Sequence, residues 1–328
     1  MAFKVHDGQR YIPYEERTGN ESIVYFTRDI SPEGIIKIYE RIKSTICGKV
    51  ALKLHTGEPN GPNFTPASWV KVFMEKELPD ATIIETNTYY EGDRYTTEQH
   101  RETLKINGWA DFTTVDITDE EGTTMLPVQG GKWFTEMSVG SHLPNYDSMV
   151  VLTHFKGHAM GGFGGSNKNI GIGCADGRIG KGMIHAGHGD AWGVVEEELM
   201  EKISESTKAT IDYFGKHVTY INVMRNMSVS CDCEGVGAEP VTTPNVGILG
   251  SVDILAADQA SVDMIAAMAP NFRHDLIERI QTRHGYRQLS YMKELGMGND
   301  RYILIDIDND DQRIVAADAV KDVVPFVR

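Results

Sequence analysis

Three strand-like apolar runs at residues 49–54, 81–85 and 112–117 are separated by helical patterns at 66–78 and 97–107. This β-α-β-α-β alternation constrains the fold more than any other feature. Parallel neighbours need a crossover of a dozen or more residues, and a helix is the usual one. A strand at 22–26 precedes them and leads into a helix opened by Ser31-Pro32-Glu33, which supplies an N-cap, a first-turn proline and an acidic first turn. That helix is predicted to reach about residue 46. Residues 149–152, 218–223, 246–249 and 302–307 read as further strands. Residues 194–214, 256–268, 273–284 and 286–295 read as helices, and a short β excursion is expected around 132–139. The expected architecture is α/β, with two mostly parallel-sheet lobes and helices on both faces. One domain would span 1–328, with lobes over about 1–130 and 131–328.

Charge narrows the partners. Forty-seven acidic residues outnumber 32 basic ones, leaving a net charge of −15, and no Lys/Arg cluster stands out. Such a surface repels nucleic acid and anionic membranes. The first residues lack the apolar stretch of a secretory signal, and no run approaches the roughly 18 apolar residues of a spanning helix. A cytoplasmic location is expected, where thiols stay reduced. Four cysteines are too few for a disulfide scaffold, and Cys231 and Cys233, two apart on a strand, would be poor bridge partners. Cys47, inside a helical pattern, reads as core.

In open α/β sheets, ligands bind at loops that leave the carboxyl ends of strands. Three such loops are conspicuously polar: His55-Thr56-Gly57-Glu58, Glu85-Thr86-Asn87 continuing to Arg94, and His154-Phe155-Lys156-Gly157-His158. The third opens a stretch from His154 to Cys174 with seven glycines, two histidines, two lysines and a cysteine. His154, His158 and His55 are candidate acid/base groups or ligands. Gly157 and the preceding strand argue against a helical zincin motif. Lys156, Lys168, Asn87 and Arg94, with the amides of Gly164 and Gly165, are candidate binders of an anionic substrate. The loop matches neither common nucleotide motif, and tight turns are the plain alternative. His185 and His188 read as surface residues.

Cys231-Asp232-Cys233 is the second strong signal, because positions i and i+2 of an extended chain face the same way. With Cys174 they could hold zinc or an iron–sulfur cluster. They could equally be small buried hydrophobes.

Taken together, these motifs resemble the domain-of-unknown-function 362 family. They are Lys53-Leu54-His55-x-Gly57-Glu58, Thr86-Asn87-Thr88-x-Tyr90-x-Gly92-x-Arg94, His154-Phe155-Lys156-Gly157-His158, the Gly-Phe-Gly-Gly stretch through Lys168-Asn169 to Gly173-Cys174, and Cys231-Asp232-Cys233. Asn245-Val246-Gly247-Ile248-Leu249 and Asp258-Gln259-Ala260-Ser261-Val262-Asp263 match as well. The resemblance covers nearly the whole chain and implies an uncharacterised iron–sulfur-centre protein. Many relatives carry an inserted ferredoxin-like module, whereas this chain has no C-x-x-C. Any metal chemistry therefore falls to Cys174, Cys231 and Cys233. The expectation is a metal- or iron–sulfur-binding protein, a redox enzyme acting on a small anionic substrate with a redox partner protein. The alternatives are a non-catalytic anion-binding protein with buried thiols, and a metal-free enzyme with a cysteine nucleophile.

Overall fold

The computed structural model describes residues 10–327. The first elements follow the expected alternation: β1 (Glu21–Thr27), α1 (Pro32–Ile42), β2 (Val50–Lys53), α2 (Ala67–Glu77), β3 (Thr82–Glu85), α3 (Thr97–Ile106) and β4 (Asp116–Ile117). The excursion is a hairpin, β5 (Thr123–Pro127) and β6 (Glu136–Gly140), and leads to β7 (Ser148–His154). A second hairpin follows, β8 (Lys156–His158) and β9 (Gly162–Gly164), then α4 (Ser166–Gly173), α5 (Ile179–His185) and α6 (Glu196–Phe214). The chain closes through β10 (Val218–Met224), β11 (Gly247–Ser251), α7 (Ile254–Ala267), α8 (Pro270–Thr282), α9 (Tyr286–Glu294), β12 (Arg301–Asp306), β13 (Gln312–Ile314) and α10 (Ala316–Ala319).

Nine strands share one sheet in the order β13-β12-β1-β11-β10-β7-β2-β3-β4. It is mostly parallel, with β11 antiparallel to both neighbours and β13 antiparallel at the edge. Strands from both expected lobes therefore join one sheet, and β1 lies between β11 and β12 of the second half.

Side-chain alternation along β7 shows how the layers form. Met149 and Val151 enter one hydrophobic core with residues of α4, α6, α7 and α9. Val150 and Leu152 enter the other, against α1, α2 and α3. A strand buried on both faces has to be apolar throughout, as Met149-Val150-Val151-Leu152 is. The helix over residues 31–46 ends early at Ile42, followed by a 3₁₀ turn at Lys43–Thr45 and by Gly48 at φ 61°. Cys47 thus sits exposed in a loop, not in the core. Among the described residues no helix is long and apolar enough to cross a membrane.

From β2 the chain moves outward to β3 and β4 with α2 and α3 on one face. From β7 it moves the other way to β10 with α4–α6 on the opposite face. Between β2 and β7 the loops part in opposite directions, which opens a crevice outside their carboxyl ends.

Candidate functional site

A cavity of about 210 Å³ fills this crevice. Its walls come from the loops after β2, β3, β7 and β10, so His55, Arg94, His154, Lys156, His158, Lys168, Gly164 and Gly165 all line it. Cys231 and Cys233 complete the wall.

The β8–β9 hairpin is what carries His158 to the thiols. The Gly157 amide donates to the Ser228 carbonyl at 2.7 Å, pinning the hairpin to the loop after β10. A Cβ at Gly157 would come within 2.5 Å of the Val229 backbone, so only glycine permits this approach. The loop is held from the other side by the Glu58 amide, which donates to the Asp232 carbonyl. Cys231 caps a 3₁₀ segment, Asp232–Gly237, instead of lying on a strand. The Glu234 carboxylate accepts from the Cys231 amide at 3.0 Å and from the Ser230 hydroxyl at 2.7 Å. The Cys233 amide donates to the Cys231 sulfur at 3.4 Å. The thiols meet because the chain turns, so the expected strand spacing no longer argues against a bridge between them.

Hydrogen-bond partners assign the imidazole protons. His55 Nδ1 accepts from the Gly57 amide at 2.9 Å. His158 Nδ1 accepts from the Gly161 amide at 2.8 Å and the Met160 amide at 3.2 Å. Each neutral ring must then carry its proton on Nε2, the nitrogen left to interact with Cys231, to which both rings are electrostatically coupled. The Cys231 thiol is pushed well below the usual thiol range by the hydrogen bond from Cys233, against the opposing effect of burial, with help from the Lys168 charge and His158. Cys233, donating to that sulfur, keeps its proton and is pushed up. Burial lowers the pKa of both His55 and His158, and the charges of Arg94 and Lys168 respectively add to the effect.

His154 differs from the other two. Its Nδ1 faces the Asp232 carboxylate at 2.9 Å and its Nε2 the Arg225 carbonyl at 2.7 Å. Both partners only accept, so both nitrogens donate and neither is free to move a proton to a ligand. Lys156 joins the same carboxylate at 2.9 Å. Burial would raise the Asp232 pKa, but His154 and Lys156 outweigh it and hold the carboxyl below its usual range.

The candidate anion binders separate. Arg94 pairs with Glu58 at 2.8 Å and Glu85 at 3.6 Å. Lys53 pairs with Glu85 at 2.8 Å. Lys168 alone among the four predicted binders lines the cavity without a carboxylate within ion-pair distance among the described residues. Asn87 does not reach the cavity. Its amide donates to Thr97 Oγ1 at 3.0 Å and its carbonyl faces His100, tying the β3 loop to α3. Gly164 and Gly165 line the cavity, but the next two amides of the loop are taken: Ser166 and Asn167 donate to the Asp258 carboxylate at 2.7 and 2.9 Å. Gly165 makes room for that carboxylate, which a Cβ would approach to 2.5 Å.

His185, read from sequence as a surface residue, lines the cavity one turn beyond Lys181, while His188 is exposed. The i, i+4 spacing of Lys181 and His185 could have signalled this, but the glycine-rich run around them hid the helix.

Three side chains that could ligate an ion do meet: His158, Cys231 and Cys233, with ligand atoms within 4.8 Å of one another. Cys174 is not with them. Its thiol lies in the larger hydrophobic core and burial pushes its pKa up to about 12. The expected three-cysteine cluster therefore does not assemble. A metal-bound imidazole donates from its second nitrogen, whereas the Nδ1 atoms of His55 and His158 accept from amides. As the rings stand, the imidazoles do not fit as metal ligands, and the two thiols that remain are fewer than the four of a usual iron–sulfur site. Asp116, Glu120 and His142 form a second group at the surface edge of β4.

A family model described as a domain of unknown function (DUF362) matches residues 50–263. No curated protein matches the chain. Among solved structures, the lactate racemase apoprotein from Thermoanaerobacterium thermosaccharolyticum aligns over 92% of this chain and 86% of its own, at 13% identity and a TM-score of 0.37. A Thermotoga maritima protein aligns over 67% of this chain and 52% of its own, at 12% identity and a TM-score of 0.39.

Proposed function

The chain belongs to the DUF362 family, and from that premise and the cavity's geometry we propose that it is an enzyme whose Cys231 thiolate attacks an electrophilic carbon of a small anionic substrate. The observation that carries this reading is the pair of imidazoles lining the cavity with Cys231 whose Nδ1 atoms are blocked by backbone N–H groups, which leaves each an Nε2–H to interact with that sulfur. Donors converging on a thiolate lower its pKa and activate it as a nucleophile. Lys168 holds the anionic end of the substrate. His55 and His158 stabilise the sulfur while it is negative and can return a proton to it when it leaves. Asp232, His154 and Lys156 keep the cysteine turn in place without entering the chemistry.

Iodoacetamide alkylation, followed across pH by peptide mass spectrometry on the full chain, tests the reading. Cys231 should react with an apparent pKa well below an ordinary thiol's, about 8.5, and faster than Cys233. Metal content measured on the same preparation should be substoichiometric. An ordinary titration of Cys231, or alkylation that begins only after one bound metal per chain is chelated, would overturn it.

A further inference from the structure

We infer that Lys181 is an amine nucleophile that forms an imine with the carbonyl carbon of a small anion bound in the same cavity. The inference shares the cavity with the thiolate reading and takes from it only the anion held by Lys168.

The other lysines at the cavity floor, Lys53 and Lys156, each face a carboxylate at 2.8 and 2.9 Å. Lys181 is buried, lines the cavity, and among the described residues has no carboxylate within 4.0 Å. Its Nζ instead donates to Thr86 Oγ1 at 2.6 Å and to the Asn87 carbonyl. The Thr86 hydroxyl donates onward to the Gly173 carbonyl, so its oxygen accepts from Lys181. Two neutral acceptors match the two hydrogens of an uncharged amine and leave its lone pair over. Burial, aided by the charges of Arg94 and Lys53 and opposed by those of Asp119 and Glu85, pushes its pKa down to about 8. A buried lysine without a counter-ion is the usual form of an imine-forming amine.

A proton carrier stands one helical turn away. His185 Nδ1 donates to the Lys181 carbonyl at 2.8 Å, which leaves a lone pair on Nε2. Burial holds the ring neutral, its pKa pushed down to about 4. In the reaction the amine nitrogen bonds to the carbonyl carbon, and the carbonyl oxygen becomes a hydroxyl using a proton taken from nitrogen. The second nitrogen proton passes to that hydroxyl, with His185 Nε2 as the carrier, and water leaves as the C=N bond forms. The ligand class is an anion that also bears an aldehyde or ketone, such as a 2-oxo acid.

The experiment uses pyruvate as probe, with sodium cyanoborohydride to reduce any imine to a stable secondary amine, and peptide mass spectrometry to locate it. At pH 7 Lys181 should be labelled saturably, on the order of a hundredfold faster than an exposed lysine such as Lys71, from the difference in uncharged fraction. Lys181→Arg, which keeps donors at this position but offers no free lone pair, should abolish the adduct, and its thermal melt checks that the variant stays folded. Cys231→Ser should still be labelled at Lys181, so loss of the thiolate reading and loss of this one are separable. Labelling of Lys181 no faster than Lys71, or an adduct that persists elsewhere in the cavity after Lys181→Arg, would overturn the inference.

Discussion

Asp232 stands between two residues that the electrostatics treat in opposite ways, Cys231 and Cys233. Its carboxylate takes His154 and Lys156 and is almost wholly buried. Removing one member of a buried ion pair leaves its partner's charge uncompensated, which typically costs about 3–5 kcal/mol. Asp232→Ala should therefore lower the urea midpoint strongly at unchanged slope. In the fraction that stays folded, Lys156 loses its counter-charge beside the thiols, so the Cys231 alkylation pKa should fall further. A rise in that pKa would mean that Asp232 does not neutralise Lys156. Sequence made Asp232 a spacer between two cysteines and made His154 an acid/base candidate, because nothing in a linear pattern reveals a buried carboxylate and a carbonyl on opposite sides of one ring. That His55 and His158 would line the cavity was legible, since both follow strands at carboxyl ends. Their shared target was not, because it depends on which nitrogen the backbone occupies.

The β8–β9 hairpin and α4 are the elements that turn a glycine-rich run into a wall of the cavity. Gly162 sits at φ 76° with its Cα side against Gly285, where a Cβ would come within 2.8 Å of the Gly285 Cα. Gly157 faces backbone even more closely, while a Cβ at Gly164 would meet only the flexible Lys156 side chain at 3.4 Å. Gly157→Ala should then destabilise by about 3 kcal/mol or more, since the neighbour is backbone and cannot yield, and Gly164→Ala by less than about 1. Thermal melts of the two variants check this, and equal costs would refute the account of why the glycines are there. The run was legible as something other than core. The roles of its glycines were not separable, because a glycine that lets two chains touch and one that exposes amides to a ligand are identical in sequence. The hairpin itself was invisible: three-residue strands carry too little periodicity to be seen. Cys174 fell outside the thiol pair for a related reason. It ends α4, and an eight-residue helix turned it into the core although it lies in the same glycine loop.

At the scale of the molecule, the strand pattern foretold an α/β sheet and the polar loops foretold which edge would hold the site. Strand order was beyond it, because α1 carries the chain from β1 across three other strands to β2, and no local signal marks so long a jump. One consequence of closing nine strands and two helical layers over the site is a set of neutral, buried imidazoles. Burial lowers the pKa of His55 and His158, takes His185 from 6.5 to about 4 and takes His100 from 6.5 to about 3. Below 6.5 the unfolded chain binds protons at these rings that the folded chain refuses, so stability must fall as pH falls, by about 1.4 kcal/mol per pH unit for His185 and for His100 until their folded values are reached, and in the same direction for His55 and His158. Asp258 works in the opposite sense: burial raises its pKa from 3.8 to about 6, so the folded chain takes up that proton first and gains stability between those values. His142, whose pKa is raised, contributes stability that is fully present below 6.5 and does not change the slope there. His185 and His100 together outweigh that one gain, and His55 and His158 add losses of the same sign, so the net effect is a fall in stability as pH drops under 6.5. Glu85 and Asp232, both held below the usual carboxylate range, add to the loss below about 4. Urea titrations at pH 7, 6 and 5 should give a stability that drops with increasing steepness, and His185→Phe, which fills the same site without a titrating group, should flatten part of the slope. A stability constant from pH 7 to 5 would mean that these rings open to water or gain protons in the folded chain, and with that the tautomers that aim two Nε2–H groups at Cys231 would fall as well.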